Sequence, residues 1–403
     1  MVRTMNALAP LPLLGMMFRT TASPPPLAGE RLARIRLART PRVGPVTFHE
    51  MLGHYGSAET ALEALPELAR TARLDTRAVS AAQIQHEAAT LAELGGRFLV
   101  IGDDDYPASL AAIADAPPVL SVIGDVGLLA RPAVAVVGAR NASVNGRRLA
   151  AQFAAELGRA SQVITSGLAR GVDAAAHAAA LATGTVAVLA GGIDIVYPPE
   201  NEDLYRAIAE HGAIVSEAPL GTRPQARHFP RRNRIVSGLS AGVLVIEAAL
   251  QSGSLITARQ AAEQGREVFA VPGSPLDPRA RGANRLIRDG AHLVEESADV
   301  LAHLAPVEAK ARAAAPAAAP ANLPHCAPVA TLKRTPQQID KKQEEAPNPW
   351  RESVLACLGP APTPVDEVVR RCHVSPADVA ALLLELELAG RLERHRGNSV
   401  SLI

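Results

Sequence analysis

A stretch rich in arginine, residues 223–234, contains the side chains most suited to binding a ligand. Its arginines are Arg223, Arg227, Arg231, Arg232 and Arg234, with no acidic residue among them. Phe229 and Asn233 interrupt the charges, and a helix is predicted over residues 230–239. Guanidinium groups pair with phosphates and an aromatic ring offers a base a stacking surface, so the stretch suits a single nucleic-acid strand. A core position for Phe229, which would fix the loop, is the other interpretation.

Three short apolar runs lead directly into turns that contain glycine. The turn residues singled out are Gly138, Arg140, Ser143, Ser166, Gly167, Arg170, Gly171, Gly191 and Gly192. Glycine lets the backbone approach a ligand closely, and the amides at a helix start favour anions. Ser252, Gly253 and Ser254 precede a further predicted helix and form another candidate anion site. We therefore predict phosphate contact at these turns rather than packing alone.

The usual nucleotide-binding fingerprints are missing from the sequence. No GxGxxG opens the first helix of this region, no acidic residue ends its second strand to hold a ribose, and GxxxxGK[ST] does not occur. An ordinary dinucleotide site or a Walker-type site is therefore disfavoured.

Five residues are candidate catalytic acids or bases, namely Asp173, His177, Asp194, Glu217 and Glu247. His177 follows Asp173 by one helical turn, so the two could interact. An activated nucleophile or a metal cluster is not evident, and Asp173 at a helix start is more simply explained as a partner of the helix dipole. We expect no catalytic residue, no cofactor and no metal ion.

The elements that position these residues follow a regular alternation. Apolar runs occur at residues 133–137, 163–165, 186–189, 213–215, 243–246 and 268–271. Helical segments such as residues 146–158, 173–183 and 255–265 lie between them. This alternation predicts a Rossmann-like α/β domain over residues 97–305, with a parallel sheet covered on both faces. Its binding site should lie beyond the carboxyl ends of the strands.

The N-terminal third has a different pattern. Residues 1–28 are expected to be a disordered extension, because Pro10, Pro12 and Gly15 interrupt an apolar run that otherwise resembles a signal peptide. Residues 29–96 are expected to form a small helical domain. Residues 42–47 resemble the turn of a helix-hairpin-helix, but we prefer a plain helix connection.

The C-terminal part is predicted to be a linker followed by a small domain. Residues 306–347, rich in Ala, Pro, Lys and Gln, suit a flexible linker. In residues 348–403, Thr363 and Ser375 are predicted to start two helices, which a β-hairpin around Gly397 follows, as in a winged helix. The second helix has acids and no Lys or Arg, and acids repel phosphates. We expect this tail to contact protein first and DNA second.

Overall composition restricts the remaining choices. The formal charge of the 403 residues is only +1, so net charge does not indicate a polyanionic partner. The three cysteines are scattered and form no CxxC pair, which fits a reducing compartment. No run of about 18 uninterrupted apolar residues occurs, so no membrane span is expected. A second basic cluster, formed by Arg279, Arg281, Arg285 and Arg288, is either a supporting patch or an interface.

The assembled motifs resemble the DNA-processing protein A family, also called DprA or Smf. The similarity runs through residues 137–140, 165–177, 191–194, 197–201, 216–217, 229–235, 252–258 and 271–273. The helical region resembles the SAM-like domain of that family, and the tail resembles its winged-helix domain.

The resemblance implies a cytoplasmic homodimer that binds single-stranded DNA without sequence preference. It further implies protection of incoming strands and help in loading the RecA recombinase during natural transformation. The implied DNA pocket includes Arg140, residues 166–171, Phe229 and residues 231–234. Family pockets often use lysines near residues 197–201 and 227, where this sequence has only Arg227.

A hydrolase of nucleoside monophosphates, from the lysine-decarboxylase-like Rossmann group, is the second hypothesis. That group has a PGGxGTxxE pattern, and residues 247–254 are the corresponding region here. The double glycine and the following acid are missing, which counts against this hypothesis.

Overall fold

The computed structural model describes residues 27–71, 76–314, 349–359, 363–372, 374–388, 391–395 and 399–402. The predicted N-terminal extension up to residue 26 and the predicted linker from residue 315 onward lie outside the described residues. The chain divides into two compact units, and each is considered by itself. The α/β unit comprises the described residues up to 62 and from 78 to 309, and the second unit comprises those of 63–77 and from 310 onward, which we call the C-terminal unit.

Nine strands of the described chain form one sheet. They are β1 (Gly96–Val100), β2 (Val119–Gly124), β3 (Ala133–Val137), β4 (Val163–Ser166), β5 (Thr185–Leu189), β6 (Ala213–Ser216), β7 (Gly242–Val245), β8 (Glu267–Ala270) and β9 (His292–Leu293). Their order is β1-β2-β6-β5-β4-β3-β7-β8-β9. Strands β3 to β9 are parallel, whereas β1 pairs antiparallel with β2, and β2 with β6.

The α/β class predicted from the sequence is confirmed, but the sheet is mixed rather than purely parallel. The sequence pattern did not predict β1 or β2, which no βαβ alternation marks. An antiparallel strand at the edge of a parallel sheet is common in doubly wound folds.

Helices precede and alternate with the strands, and several of them cover the two faces of the sheet. In chain order they are α1 (Gly29–Arg39), α2 (Pro45–Tyr55), α3 (Ala58–Thr71), α4 (Ala81–Glu93), α5 (Ala108–Ala111), α6 (Val144–Arg159), α7 (Val172–Ala180), α8 (Glu202–His211), α9 (His228–Gly238), α10 (Ser254–Glu263), α11 (Arg281–Arg288) and α12 (Ser297–Ala314). Alternate strand residues pack against α9, α10 and α11 on one face and against α6, α7 and α12 on the other. Helix α12 ends at Ala314, so it extends past residue 306, where the linker was predicted to begin.

The N-terminal helices share a core with the sheet. Ile35 of α1 and Ile84 of α4 are buried in one cluster with Phe98 of β1. The Arg39 guanidinium donates a hydrogen bond to the Glu217 carbonyl oxygen, 2.8 Å away, next to the end of β6. Helix α1 is thereby held to the sheet by both apolar and polar contacts.

The carboxyl ends of the parallel strands meet at one edge. Because β4 and β7 lie on opposite sides of β3, the strand order reverses there, and such a switch point opens a crevice at that edge. The turns that follow β3, β4, β5 and β7 all project from this edge, as the sequence pattern predicts.

The C-terminal unit has a winged-helix arrangement. Its elements are α13 (Pro349–Cys357), β10 (Thr363–Pro364), α14 (Val365–Cys372), α15 (Pro376–Leu388), β11 (Leu392–His395) and β12 (Ser399–Leu402). The helix predicted to start at Thr363 and Pro364 is present as α14, but it begins at Val365, because Thr363 and Pro364 form β10, which pairs with β12. The Ser375 hydroxyl accepts a hydrogen bond from the Asp378 amide at 3.1 Å, so the predicted cap of α15 is confirmed. The turn around Gly397 lies outside the described residues.

None of the described helices combines the length and the apolar character needed to cross a lipid bilayer.

His177 is a fully buried histidine in the contact of α7 with β5. Thr185 Oγ1 donates to the Ile164 carbonyl oxygen at 2.8 Å, so the His177 Nδ1–H donates to Thr185 Oγ1 at 2.7 Å. The expected interaction of His177 with Asp173 is therefore replaced by a bond to Thr185. Burial, together with the nearby charge of Arg232, lowers the pKa of His177 to about 3.

We expect His177 to make the protein less stable in acid. The unfolded chain takes up this proton near pH 6.5 but the folded chain only near pH 3, so the stabilisation is complete above pH 6.5 and is lost as the pH falls from there toward 3. The contribution amounts to about 2 kcal/mol between pH 7 and pH 5. Urea unfolding of wild type and His177→Asn at both pH values checks this. The variant should lose less unfolding free energy, and equal losses would contradict the prediction.

Candidate nucleic-acid interface

An open cleft of about 220 Å³ lies at the carboxyl edge of β3, β4 and β5. Its lining residues are Arg140, Gly167, Ala169, Arg170, Tyr197, Pro198, Pro199, Glu200 and Phe229. Pockets that enclose a drug-sized ligand usually measure about 300–1,000 Å³. The cleft therefore suits part of a larger ligand better than a whole dinucleotide.

Phe229 lies in the first turn of α9 and is half-buried at the cleft. The Arg140 guanidinium lies over its ring, 4.9 Å from the ring centroid, at the distance of a cation–π contact. The Tyr197 ring lies 5.7 Å away at an interplanar angle of 58°. The interpretation of Phe229 as a core residue is thus not supported, because its ring forms part of an accessible wall.

Arg232 differs from its exposed neighbour Arg231, because it is buried beneath the cleft. Its Nη1 donates to the Val188 carbonyl oxygen at 2.7 Å. A Cβ at Gly167 would lie 1.8 Å from the same nitrogen, so only glycine leaves room for the guanidinium. Burial lowers the pKa of Arg232 to about 10, with Asp173 opposing the shift, so the group stays charged at neutral pH.

Asp173 occupies the anion position of the turn after β4. Its carboxylate accepts hydrogen bonds from the amides of Gly167 at 3.2 Å and Ala169 at 3.3 Å. Burial raises the pKa of Asp173, and Arg232 opposes that shift. The prediction that this turn offers its amides to a phosphate is corrected, because Asp173 already uses two of them.

The turns after β3 and β4 lie directly against each other. Gly171 has φ +80°, and a Cβ there would lie 2.3 Å from the Ala139 carbonyl oxygen. A Cβ at Gly138 would lie 2.6 Å from Val172 Cγ2. Both glycines are therefore required by packing, and that packing places Arg140 beside Arg170.

Ser143 caps α6, and both its hydroxyl and its amide already form hydrogen bonds within the protein. Its hydroxyl lies 2.5 Å from one Glu247 carboxylate oxygen, and its amide donates to the other at 2.9 Å. A carboxylate at a helix N-terminus occupies the place that a phosphate would take. We therefore remove Ser143 from the proposed DNA contacts.

Ser166 and Gly192 are also buried. The Ser166 hydroxyl donates to the Val136 carbonyl oxygen at 2.6 Å. The Gly192 amide donates to the Thr222 carbonyl oxygen at 2.8 Å. Because neither group faces the cleft with a free donor, both positions are removed from the proposed contacts.

Arg234 is a structural ion-pair residue. Its Nη2 lies 2.5 Å from a carboxylate oxygen of Glu217, and its Nη1 donates to the Asp115 carbonyl oxygen at 2.6 Å. Its side chain is only 7% exposed, so it cannot reach a strand lying in the cleft. Arg234 and Arg232 are therefore removed from the proposed DNA contacts.

The remaining cations around the cleft are accessible. Arg227 and Arg231 are exposed on either side of Phe229, and Arg170 is exposed with a loose ion pair to Glu200 at 3.6 Å. Asn233 Nδ2 donates to the Gly253 carbonyl oxygen at 3.4 Å and so ties α9 to the loop before α10.

The serines at the start of α10 are less available than predicted. The Ser252 and Ser254 hydroxyl oxygens lie 2.7 Å apart and bond to each other, and Ser254 is buried. Gly253 between them is exposed, with open space beside its Cα. Gly253 is therefore the member of this turn that a ligand could approach.

The acidic candidates for catalysis have structural partners. Asp173 holds turn amides, Glu217 pairs with Arg234, and Glu247 caps α6. The Asp194 carboxylate accepts a hydrogen bond from the Gly221 amide at 2.9 Å. Among the described residues, no group of three or more His, Cys, Asp or Glu side chains is arranged to hold a metal ion.

Tyr197 is an aromatic cleft residue that our site prediction omitted. It is 45% exposed and faces Phe229, so the cleft has a second aromatic ring. Its place in the sequence, shortly after the glycine turn that follows β5, could have indicated this position, because that turn projects from the same sheet edge.

Three family models match successive parts of the chain. DNA recombination-mediator protein A matches residues 97–305, the DprA-like N-terminal HHH domain matches residues 28–90, and the DprA winged helix domain matches residues 340–398. The N-terminal match favours a helix-hairpin-helix over the plain helix connection that we preferred for residues 42–47.

Individual relatives agree with these matches. Protein Smf of Escherichia coli strain K12 is 41% identical over 77% of this chain and 79% of its own length. DNA processing protein DprA of Bacillus subtilis strain 168 is 46% identical over 53% of this chain and 72% of its own length. The X-ray structure of DNA processing protein A from Streptococcus pneumoniae superposes with a TM-score of 0.58 at 34% identity, covering 68% of this chain and 96% of that one. The chain therefore belongs to the DprA (Smf) family of DNA-processing proteins.

Proposed function

We propose that this protein binds single-stranded DNA, without sequence preference, across the carboxyl edge of β3, β4, β5 and β7. The observation that supports this most is Phe229, a half-buried ring that lines an open cleft with the Arg140 guanidinium 4.9 Å from its centroid. Stacking on a ring tolerates any base, and arginines that contact phosphates read no sequence.

The revised set of contacts is smaller than the sequence predicted. It consists of Arg140, Arg170, Arg227, Phe229, Arg231 and Gly253, to which the structure adds Tyr197. A base that enters the cleft stacks on the part of the Phe229 ring that Arg140 leaves open, while Arg140 turns toward a neighbouring phosphate. The cleft volume of about 220 Å³ fits the entry of one base rather than a whole nucleotide cofactor.

The proposal extends to the protein's place in the cell. A cytoplasmic homodimer that protects incoming strands and helps to load RecA is what the family resemblance implies, and the family description as a recombination mediator supports the recombination role. For the winged helix, α15 presents an exposed Asp378, and Glu387 pairs with Arg394 at 2.9 Å. An acidic helix face supports contact with a protein partner before contact with DNA.

A further part of the proposal is that the protein is not an enzyme. Its support is that the candidate acids hold structural contacts and that His177 is buried and neutral. Incubation with AMP, followed by chromatography for released adenine, should give no turnover above a buffer control. Robust release of adenine would favour the nucleotide-hydrolase hypothesis instead.

Removal of Arg140 should weaken binding to every oligonucleotide sequence alike. Each phosphate contact to a single strand contributes about 0.7 to the slope of log affinity against log salt concentration, so Arg140→Ala should lower that slope by about 0.7. Arg231→Ala should act in the same way. Fluorescence anisotropy with oligo-dT and oligo-dC, from low to moderate salt, measures both quantities.

The matched control is Arg159→Ala, which removes an exposed arginine at the end of α6, at the opposite edge of the sheet. If this control and Arg140→Ala weaken binding equally, the contact is general charge attraction and not this site.

Removal of the ring should change affinity without changing salt dependence. Loss of a stacked base costs about 1–3 kcal/mol, and no counterion is released by stacking. Phe229→Ala should therefore bind oligo-dT about tenfold or more weakly with an unaltered slope. Phe229→Tyr, which keeps an aromatic face, is the control and should retain most of the affinity. A lowered slope in Phe229→Ala would mean that the ring acts by positioning Arg140.

A further inference from the structure

A stripe of arginines lies along the outer face of α11, away from the cleft. Arg281, Arg285 and Arg288 are spaced by four and three residues, which places them within about 60° of one another around the helix axis. All three are exposed, whereas Gly282 beside the stripe and Ala283 opposite it are buried. We refer to these three residues as the α11 stripe.

The stripe holds positive charge that the protein does not neutralise. In the described part of the chain, Arg281 and Arg288 have no carboxylate within ion-pair distance. Arg285 has only Asp289, 3.4 Å away, and both side chains are more than half exposed. Asp277 pairs with Arg279 just before the helix and is the other acid next to it. Such a face suits a partner with a regular series of negative charges.

One loop joins the stripe to the cleft. The Gly282 amide donates to the Ala248 carbonyl oxygen at 2.7 Å, and a Cβ at Gly282 would lie 2.6 Å from that oxygen. Further along the same loop, Gly253 accepts a hydrogen bond from Asn233 of α9, the helix that presents Phe229. The loop between β7 and α10 therefore touches α9 on one side and the start of α11 on the other.

The distance between the two surfaces is short. Helix α11 packs beside β8, and β4 borders the cleft. Because β3 and β7 lie between β4 and β8, these two strands are three strand spacings apart, or about 14 Å. The stripe adds about 10 Å along the helix axis. A strand that leaves the cleft past Gly253 would reach Arg281 first. The loop between β8 and α11 is also tied to this helix, because Asn284 donates a hydrogen bond to the Gly273 carbonyl oxygen at 2.8 Å and accepts one from the Gly273 amide at 3.0 Å.

We infer that the α11 stripe is a second contact surface for the backbone of the same DNA strand, continuing its path from the cleft. The inference rests on the proposed function. The stripe contacts phosphates only and has no aromatic residue, so it adds affinity and salt dependence for long strands without adding base stacking.

Binding as a function of strand length tests this inference. Fluorescence anisotropy with oligo-dT from about 4 to about 20 nucleotides compares wild type with the double variant Arg281→Ala/Arg288→Ala. The shortest strand should bind both proteins equally, because it fills only the cleft. The longest should bind the variant about fivefold to tenfold more weakly. Its salt slope should fall by about 1.4, the contribution of two phosphate contacts.

The matched control is Arg131→Ala/Arg159→Ala, which removes two exposed arginines before β3 and before β4, at the opposite edge of the sheet. This control variant has the same net charge as the stripe variant. Its affinity should increase with strand length as much as that of wild type. Circular dichroism and thermal unfolding show whether each variant is folded. Arg281→Lys/Arg288→Lys, which keeps the charges, should restore most of the length dependence.

The outcomes separate the two proposals. If wild type binds no strand of any length, the proposed function fails and this inference fails with it. If wild type gains affinity with length and the double variant gains as much, only this inference is overturned, and the stripe is left to a protein partner. Equal weakening by stripe and control variants also overturns it, because net charge alone then explains the effect.

Discussion

The candidate site depends on one buried cation. The Arg232 guanidinium fills the space left by the missing side chain of Gly167 and donates a hydrogen bond to the Val188 carbonyl oxygen of β5. The nearby Asp173 carboxylate stabilises its positive charge. An arginine in a dry position is tolerated only when it is paired and hydrogen-bonded. Arg232 thereby fixes the turn after β4 against β5 and the start of α9. Because Phe229 is in that same first turn, the cleft wall follows from this internal contact.

Neighbouring arginines of α9 have different tasks because different segments pack around the helix. Residues 231–234 are consecutive in sequence, yet Arg232 is buried against β5, Arg234 is buried against Asp115 and Glu217, and Arg231 is exposed. The same residue type therefore supplies a buried hydrogen bond, an ion pair with Glu217 and an exposed positive charge. An arginine count alone overstates the charge available to a ligand.

The glycine turns show a similar division. At Gly138, Gly167 and Gly171 the absent side chain admits another part of the protein, and Asp173 takes turn amides that a phosphate would otherwise bind. These turns hold Arg140 and Arg170 at the edge of the cleft. The groups that remain accessible there are side-chain cations and aromatic rings, which suit the proposed long flexible polyanion better than a compact phosphate group.

The sequence by itself determined the α/β class, six of the seven parallel strands with helices between them, and the winged-helix tail. It also indicated the edge of the sheet at which the cleft lies. It could do so because apolar periodicity and glycine turns are local patterns, and parallel connections place all carboxyl strand ends together. Only the tertiary structure decided which of the candidate residues face solvent. Ser143, Ser166, Gly192, Arg232 and Arg234 are withdrawn because Glu247, Val136, Thr222, Val188 and Glu217, all distant in sequence, engage them. Burial and pairing are properties of contacts between distant segments, and no local pattern in a single sequence records them.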